Sequence, residues 1–455
     1  MSQHIEHIGR KDILWSYASA VFTVGAGVFL LPFILNKMTD ETVGLYMIFL
    51  TITDLVLLLD FGFRPSFART VSYIFSGGRS RQREGVEQVE AGSEVDYGLL
   101  RSTLSAMRRF YRWVALAVMA LLATAGTAYI LYVLRAYEGN RQEALTAWVL
   151  LIGINCYNLY TFYYDALLTG KGYIKRSQQI MILGQTVYIC LAIVLLYAGG
   201  GLAAVTGAQL VSTLVRRWLT YRVFFTKELR RELAQAQESR SQTTGEVLQA
   251  ISPNAIKVGL TGLGGFLVTK SAVLLSGAML PLAVAASYGL TVKVMDILVR
   301  CGEVFYQSYT PKLAQCRAEH DMKRLGRYYK ISILSLAGIF LLGGTCWMLW
   351  GNMALDLIHS NTHFIPEEML LVLLVITFLE HNHSVSAGFI MADNKIPFFI
   401  PSLLSGAATI GLLLLFVKGL GLGVWGLILA PGLAQLAYQN WKWPSVIIRE
   451  LKQAQ

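Results

Sequence analysis

The first chemical signal in this chain is a set of ionisable side chains set in apolar sequence. Lys293, Asp296, Arg300 and Glu303 follow one another at i, i+3, i+7 and i+10. On an α-helix this spacing places them within an arc of about 80°. In a hydrocarbon layer each charge costs on the order of 2.5–3.5 kcal/mol, so a face with four of them must look into protein or water. Two roles fit: a stripe lining a polar pathway, or a ladder whose neighbours neutralise one another at i+3 and i+4. Asp54, Asp60 and Arg64 share an arc of about 120°. Asp60 and Arg64 are spaced to pair at i, i+4, with Pro65 placed to bend the helix beside them. Lys270, between Thr269 and Ser271, is a lone amine that needs an acidic partner, for which Asp296 and Glu303 are both candidates, or an anionic ligand. Glu380 and His383 share a face at i, i+3, with His381 between them. A carboxylate and an imidazole in low dielectric can exchange protons, and hydrogen bonding between packed helices suits them equally. Asp165 lies near the end of an apolar run, where partial hydration accounts for it.

These residues do not assemble into familiar enzyme chemistry. No third or fourth ligand is spaced to complete a metal site with Glu380 and His383. The five cysteines, Cys156, Cys190, Cys301, Cys316 and Cys346, are scattered and form no disulfide or metal framework. Gly421, Gly423 and Gly426 match a dinucleotide fingerprint but open an apolar run with no strand before it. Thr269-Lys270-Ser271 resembles the end of a phosphate-binding loop, with Thr where Gly is needed. His359 and His363 fall in a polar turn. A hydrolase, a kinase and an ATP-driven pump are all disfavoured, and neither cofactor nor metal is implied.

The positioning elements follow from composition. Of 455 residues, 55% are hydrophobic and only 15% charged, against roughly 25% charged in a soluble domain. Apolar runs long enough to span a bilayer fall near 13–35, 43–64, 113–134, 145–168, 179–198, 202–222, 255–277, 282–309, 331–350, 367–391, 397–417 and 422–441. The expectation is an all-α polytopic membrane protein of about twelve helices. The first run follows Arg10 and Lys11 and lacks a small-residue cleavage site, so it reads as a span rather than a leader.

The net charge of +11 reads as topology, not nucleic-acid binding, because no basic stripe interleaves with aromatics. With the N-terminus inside, the external segments hold only Lys37, Arg135, Arg141 and Lys418. Arg64, Lys257, Lys270, Lys293 and Arg300 lie within spans, and the other 30 of the 39 Lys and Arg are cytoplasmic. The bias predicts an even count and cytoplasmic termini. Two internal connections are long. In the first, Leu99, Leu100, Leu104, Met107 and Phe110 align beside Arg101, Arg108 and Arg109, as an interfacial helix or as a solvated loop. The second, 226–252, separates two six-helix lobes, 1–225 and 253–455. A shift of 242 residues superposes Tyr46 on Tyr288 and Asp54 on Asp296. Thr169–Ile174 and Met391–Ile396 share a turn pattern in the same order. A parallel internal duplication is expected, an architecture known among secondary transporters.

Several of these segments resemble one family. Leu59-Asp60-Phe61-Gly62-Phe63-Arg64, with Arg69 following, is similar to the D-(L/F)-G-(L/F) … R segment of polysaccharide and O-antigen flippases. These belong to the multidrug/oligosaccharidyl-lipid/polysaccharide (MOP) exporter superfamily. Glu41-Thr42-Val43-Gly44-Leu45-Tyr46 resembles its E-x-(V/Y)-G-x-Y stretch, Gly170-Lys171-Gly172 its short turn after span 4, and Gly423-Val424-Trp425-Gly426 the Gly-rich start of its last helix. Arg64 and Pro65 stand where the family carries small or polar residues. The resemblance implies a non-enzymatic transporter of the bacterial inner membrane. It would turn an undecaprenyl-pyrophosphate-linked oligosaccharide between leaflets by alternating access about a central polar cavity. Membrane lipid, polymerase and glycosyltransferase machinery would be its partners. Arg64, Lys270, Lys293 and Arg300 would then attract the pyrophosphate. Asp54, Asp60, Asp296, Glu303, Glu380 and His383 are the candidates for coupling to H+ or Na+. A drug or metabolite antiporter of the same superfamily is the alternative. The absence of charge between Asp12 and Lys37 tilts against it.

Overall fold

The structure, a computed structural model, describes residues 10–76, 95–236, 244–319, 321–393 and 396–453. Its first half contains α1 (Arg10–Lys37), α2 (Asp40–Leu58), α3 (Phe63–Phe75), α4 (Tyr97–Leu121), α5 (Thr127–Val133), α6 (Arg141–Tyr160), α7 (Tyr163–Gly170), α8 (Ile174–Tyr197), α9 (Gly201–Phe224) and α10 (Lys227–Gln235). The second half contains α11 (Thr244–Thr269), α12 (Ser271–Met279), α13 (Leu282–Gly302), α14 (Val304–Ala318), α15 (Met322–Leu357), α16 (Glu367–Met391), α17 (Phe399–Leu413), α18 (Val424–Leu436) and α19 (Gln439–Gln453). No strand occurs among the described residues, and the protein is an all-α polytopic membrane protein.

Eight described helices are long and apolar enough to cross a membrane, and the pair Ala255–Thr269 and Ser271–Met279, bent by 44°, makes a ninth. The other expected spans fall on α1, α9 and α18. On α9, Gln209, Ser212, Thr213, Arg216 and Arg217 dilute the hydropathy. α18 has only 13 residues. In α1, Gly25–Lys37 forms a shorter apolar helix.

The chain packs into two compact units. Unit 1 holds the described residues of Met1–Lys37, Val56–Tyr132 and Asn140–Gly259. In it α8 packs on α1 and α9, α6 on α4 and α9, and α3 on α7. A Cβ on Gly170 would lie 2.6 Å from the Ala68 carbonyl oxygen, so α7 meets α3 at the backbone. The amphipathic segment after the first long connection is neither interfacial nor a loop. Leu99, Leu100, Leu104 and Met107 are buried, and Phe110 stacks on Phe63 at 3.9 Å. It is the start of a 40-residue helical run, Tyr97–Ala136, that becomes the third span. Its apolar face finds protein to cover, which favours burial over a membrane surface. Most of the connection itself, 77–94, lies outside the described residues.

Unit 2 holds the described residues of Met38–Leu55, Val133–Gly139 and Leu260–Gln455. α2 up to Leu55 therefore packs with helices of the second half, although it lies inside the first half of the sequence. Glycine makes this possible. A Cβ on Gly44 would lie 2.5 Å from the Leu282 carbonyl oxygen and 3.3 Å from the Ala286 nitrogen, and one on Gly289 would lie 2.7 Å from the Met47 Cβ. Gly44 thus touches Ala286, its own counterpart under the 242-residue shift. The same shift relates the break between α2 and α3 to the break between α13 and α14 at Glu303.

Candidate functional site

Lys270 stands at the bend between α11 and α12. The Thr269 hydroxyl donates to the Gly265 carbonyl at 3.0 Å, and the Ser271 hydroxyl donates to that of Leu267. Such bonds to i−4 carbonyls bend helices. The Lys270 backbone is off the helical average at φ −121°, and its ammonium leaves the helix to reach Asp296 on α13. Nζ donates to Oδ1 at 2.6 Å and also contacts Oδ2. The side chains are 17% and 35% exposed.

Lys270 and Asp296 line a cavity of about 20 Å³ together with Asp54, Lys293, Met47 and Gly289. That is room for about one water molecule. Asp54 and Asp296 are counterparts under the sequence shift, and both open on this one space. Their surroundings differ. Asp296 is neutralised by Lys270, and Asp54 has no ion pair or hydrogen bond among the described residues. The residues 242 positions before Lys270 and Lys293 are Val28 and Thr51, so the basic groups belong to one repeat only.

The charged face of α13 is not a ladder. Asp296 pairs with Lys270 across helices, not with Lys293 or Arg300. Glu303 meets His381 of α16, Nδ1 to Oε1 2.7 Å. Lys293, half-buried, and Arg300, exposed, make no ion pair among the described residues. Glu380 and His383 are both buried and make no hydrogen bond to each other among the described residues. His383 Nδ1 lies 2.8 Å from Asn440 Oδ1 on α19. His381, to which helical spacing assigns no role, is the histidine that meets a carboxylate.

The second charged cluster lies in unit 1. The Asp60–Arg64 side-chain pair expected from spacing does not form. Asp60 accepts the Arg64 backbone N–H at 3.2 Å and the Tyr111 hydroxyl, so it caps the first turn of α3. The bend there comes from Phe61 and Gly62, at φ 47° and 73°, not from Pro65, which sits in the first turn of α3 where proline is tolerated. Freed from Asp60, the Arg64 guanidinium lies over the Phe162 ring at 4.5 Å. It lines a cavity of about 310 Å³ with Asp165, Thr169, Ser177, Gln178 and Arg216.

Arg216 and Arg217, counted among the cytoplasmic charges, are instead part of this packing. Arg217, with a side chain 0% exposed, pairs with Asp165 at 2.9 Å. Its Nε and the Arg216 Nη2 both donate to Asn158 Oδ1 at 3.1 Å. Asp165 is thus an ion-pair partner and not merely hydrated. Adjacent arginines preceded by an apolar run, with Asn158 inside another, were the signal available in the sequence.

No family model matches the chain, and no curated protein matches it. Solved structures match over nearly the whole length. A multidrug resistance MATE family transporter of the MOP superfamily, in an inward-facing conformation, superposes with a TM-score of 0.67 at 15% identity, covering 96% of each chain. The MATE multidrug transporter DinF-BH gives 0.65 at 15% identity, over 100% of this chain and 98% of that one. A MOP superfamily transporter from Pyrococcus furiosus, described as having a binding pocket of reverse polarity, gives 0.57 at 13% identity, over 98% and 94%. The fold is that of MOP-superfamily membrane transporters.

Proposed function

We propose that this chain is a secondary transporter that exports an organic solute in exchange for a cation, H+ or Na+, by alternating access. The observation that carries this reading is the full-length likeness to multidrug transporters of the superfamily. The cluster at Asp54, Lys270, Lys293 and Asp296 supports it. Membrane-embedded ionisable groups mark ion and substrate routes, and here a helix broken at Lys270 delivers one of them, as transporter sites commonly do. Asp54 is the acid available to an incoming cation, and Lys270 holds Asp296 until a competing charge arrives. The test is exchange in proteoliposomes. A cationic dye loaded inside should leave faster under an imposed H+ or Na+ gradient, and Asp54→Asn should abolish the acceleration. Dye efflux indifferent to both gradients would sink this reading.

A second reading, the flippase for a lipid-linked oligosaccharide in the bacterial inner membrane with both termini cytoplasmic, is favoured by one observation. Lys293 and Arg300 make no ion pair among the described residues, so positive charge on α13 is left over for a pyrophosphate. Loss of surface glycan with trapped lipid-linked precursor on gene deletion, and no change in drug sensitivity, would select it over the antiporter.

A further inference from the structure

The geometry points to a second binding site, inside unit 1, for a phosphate-bearing anion. The site is the cavity of about 310 Å³ beside Arg64 and Arg216, and it shares no residue with the cavity at Lys270 and Asp296. Two arginines, Arg64 and Arg216, and one carboxylate, Asp165, line it. Asp165 is taken by Arg217 at 2.9 Å, and Asn158 Oδ1 accepts from both Arg216 and Arg217. Among the described residues neither Arg64 nor Arg216 has an ion pair of its own. The Arg64 guanidinium has no hydrogen bond there, only the Phe162 face, and the buried Arg216 Nε has no hydrogen-bond partner.

Two guanidiniums at one cavity present planar forks that match phosphate oxygens. Thr169, Ser177 and Gln178 add neutral polar groups to the wall. Ser177 and Gln178 follow the first turn of α8, whose dipole adds positive potential. Size narrows the ligand. The cavity lies at the lower end of the range for small-ligand pockets, so it takes a headgroup or a small anion and not a drug or an oligosaccharide. Charge narrows it further. A phosphomonoester carries about −1.5 to −2 at pH 7 and matches two free arginines, whereas a phosphodiester carries half of that. The ligand is a terminal phosphate, either free or on a lipid headgroup.

The experiment uses the full chain in neutral detergent and in nanodiscs. Inorganic phosphate is titrated by calorimetry in detergent. In parallel, nanodiscs containing phosphatidic acid, a monoester, are compared with phosphatidylglycerol, a diester, by thermal unfolding. Saturable binding of phosphate, or stabilisation by phosphatidic acid well above phosphatidylglycerol, is expected, and the two arms separate a soluble ligand from a lipid. Arg64→Ala should weaken whichever binding is seen by at least about tenfold, and Lys293→Ala should leave it unchanged. Arg64 holds no structural hydrogen bond through its side chain, so its variant keeps the fold where Arg216→Gln fails to. Equal response to both lipids with no phosphate binding, or binding indifferent to Arg64→Ala, overturns the site.

Discussion

Two of the ion pairs among the described residues, one in each unit, are built differently. In unit 1, Arg217 is wholly buried against Asp165, takes a second acceptor from Asn158 and lies 5.6 Å from the Phe162 ring centre. It ties α6, α7 and α9 together. In unit 2, Lys270 and Asp296 are 17% and 35% exposed, join at a bent helix and share a small cavity with Asp54 and Lys293. A guanidinium is a permanent charge in a rigid fork, and an ammonium is a point charge on a flexible stem. The first arrangement leaves little to exchange. The second exposes a carboxylate that another cation can claim. Asp165 is itself 27% exposed, so the difference lies in the base: a wholly buried guanidinium is architecture, and an ammonium left partly open beside a helix break is available for work.

The sharpest way to break this contrast is Arg217→Ala. It strands Asp165 beside Arg64 and Arg216 and removes two donors from Asn158. Removing one partner of a buried pair costs about 3–5 kcal/mol, so the unfolding midpoint in detergent should fall steeply or the protein should fail to accumulate in membranes. Arg217→Lys should recover little of this, because one ammonium does not reproduce two aligned bonds. An unchanged midpoint for either variant would place the unit 1 pair in the same class as the unit 2 pair. Gly62→Ala comes next. Its φ of 73° is a left-handed conformation that costs a Cβ-bearing residue about 1–2 kcal/mol. The added methyl would also lie 3.3 Å from Val258 Cγ1. The loss should appear in the same unfolding measurement, with transport per folded molecule retained.

Most of the fold was legible because a bilayer accepts only long apolar helices, and hydropathy reads them directly. The expected duplication rests on Tyr46/Tyr288 and Asp54/Asp296, since shared packing preserves residue type in order, and the helix breaks at Phe61 and Glu303 fall at the same shift. The pairing of charges was legible only in part: Asp296 was one of two acids open to Lys270, and it is the one that Lys270 meets. Helical spacing joined Asp60 to Arg64 and Asp296 to its own helix, but partners within one helix compete with partners on neighbours. Tyr111, lying 51 positions from Asp60, and Lys270, 26 from Asp296, win because tertiary packing brings them closer than rotamers on one helix allow. Arg216 and Arg217 misled for a related reason. A basic pair at the end of an apolar run reads as a topology signal, and only Asn158 and Asp165, both on other helices, make it an interior one.

Unit 2 supplies the smaller stability effects and the larger functional ones. Lys270→Ala breaks a half-open pair, for which a loss of about 1 kcal/mol or less is expected. Exchange in proteoliposomes should nevertheless drop by more than about tenfold, because Asp296 loses the charge that sets its competition with an incoming cation. The double variant Lys270→Asp with Asp296→Lys should recover folding but not exchange if the position of the amine at the bend matters. Recovery of both would reduce the pair to a structural tie.

The smallest stability effect belongs to Asp54→Asn. Asp54 is exposed and holds no partner among the described residues, so the unfolding midpoint should move by no more than the roughly 0.5 kcal/mol typical of surface changes. Its counterpart, Asp296→Asn, should cost more, because it leaves the Lys270 ammonium with only a neutral acceptor and no counter-charge. Comparing the two variants isolates what the asymmetric placement of basic residues does to a duplicated acid. If Asp54→Asn destabilises as much as Asp296→Asn, the two aspartates are equivalent structural groups. If it alone uncouples exchange from the cation gradient while leaving the midpoint in place, the repeat without basic partners is the one that carries the ion.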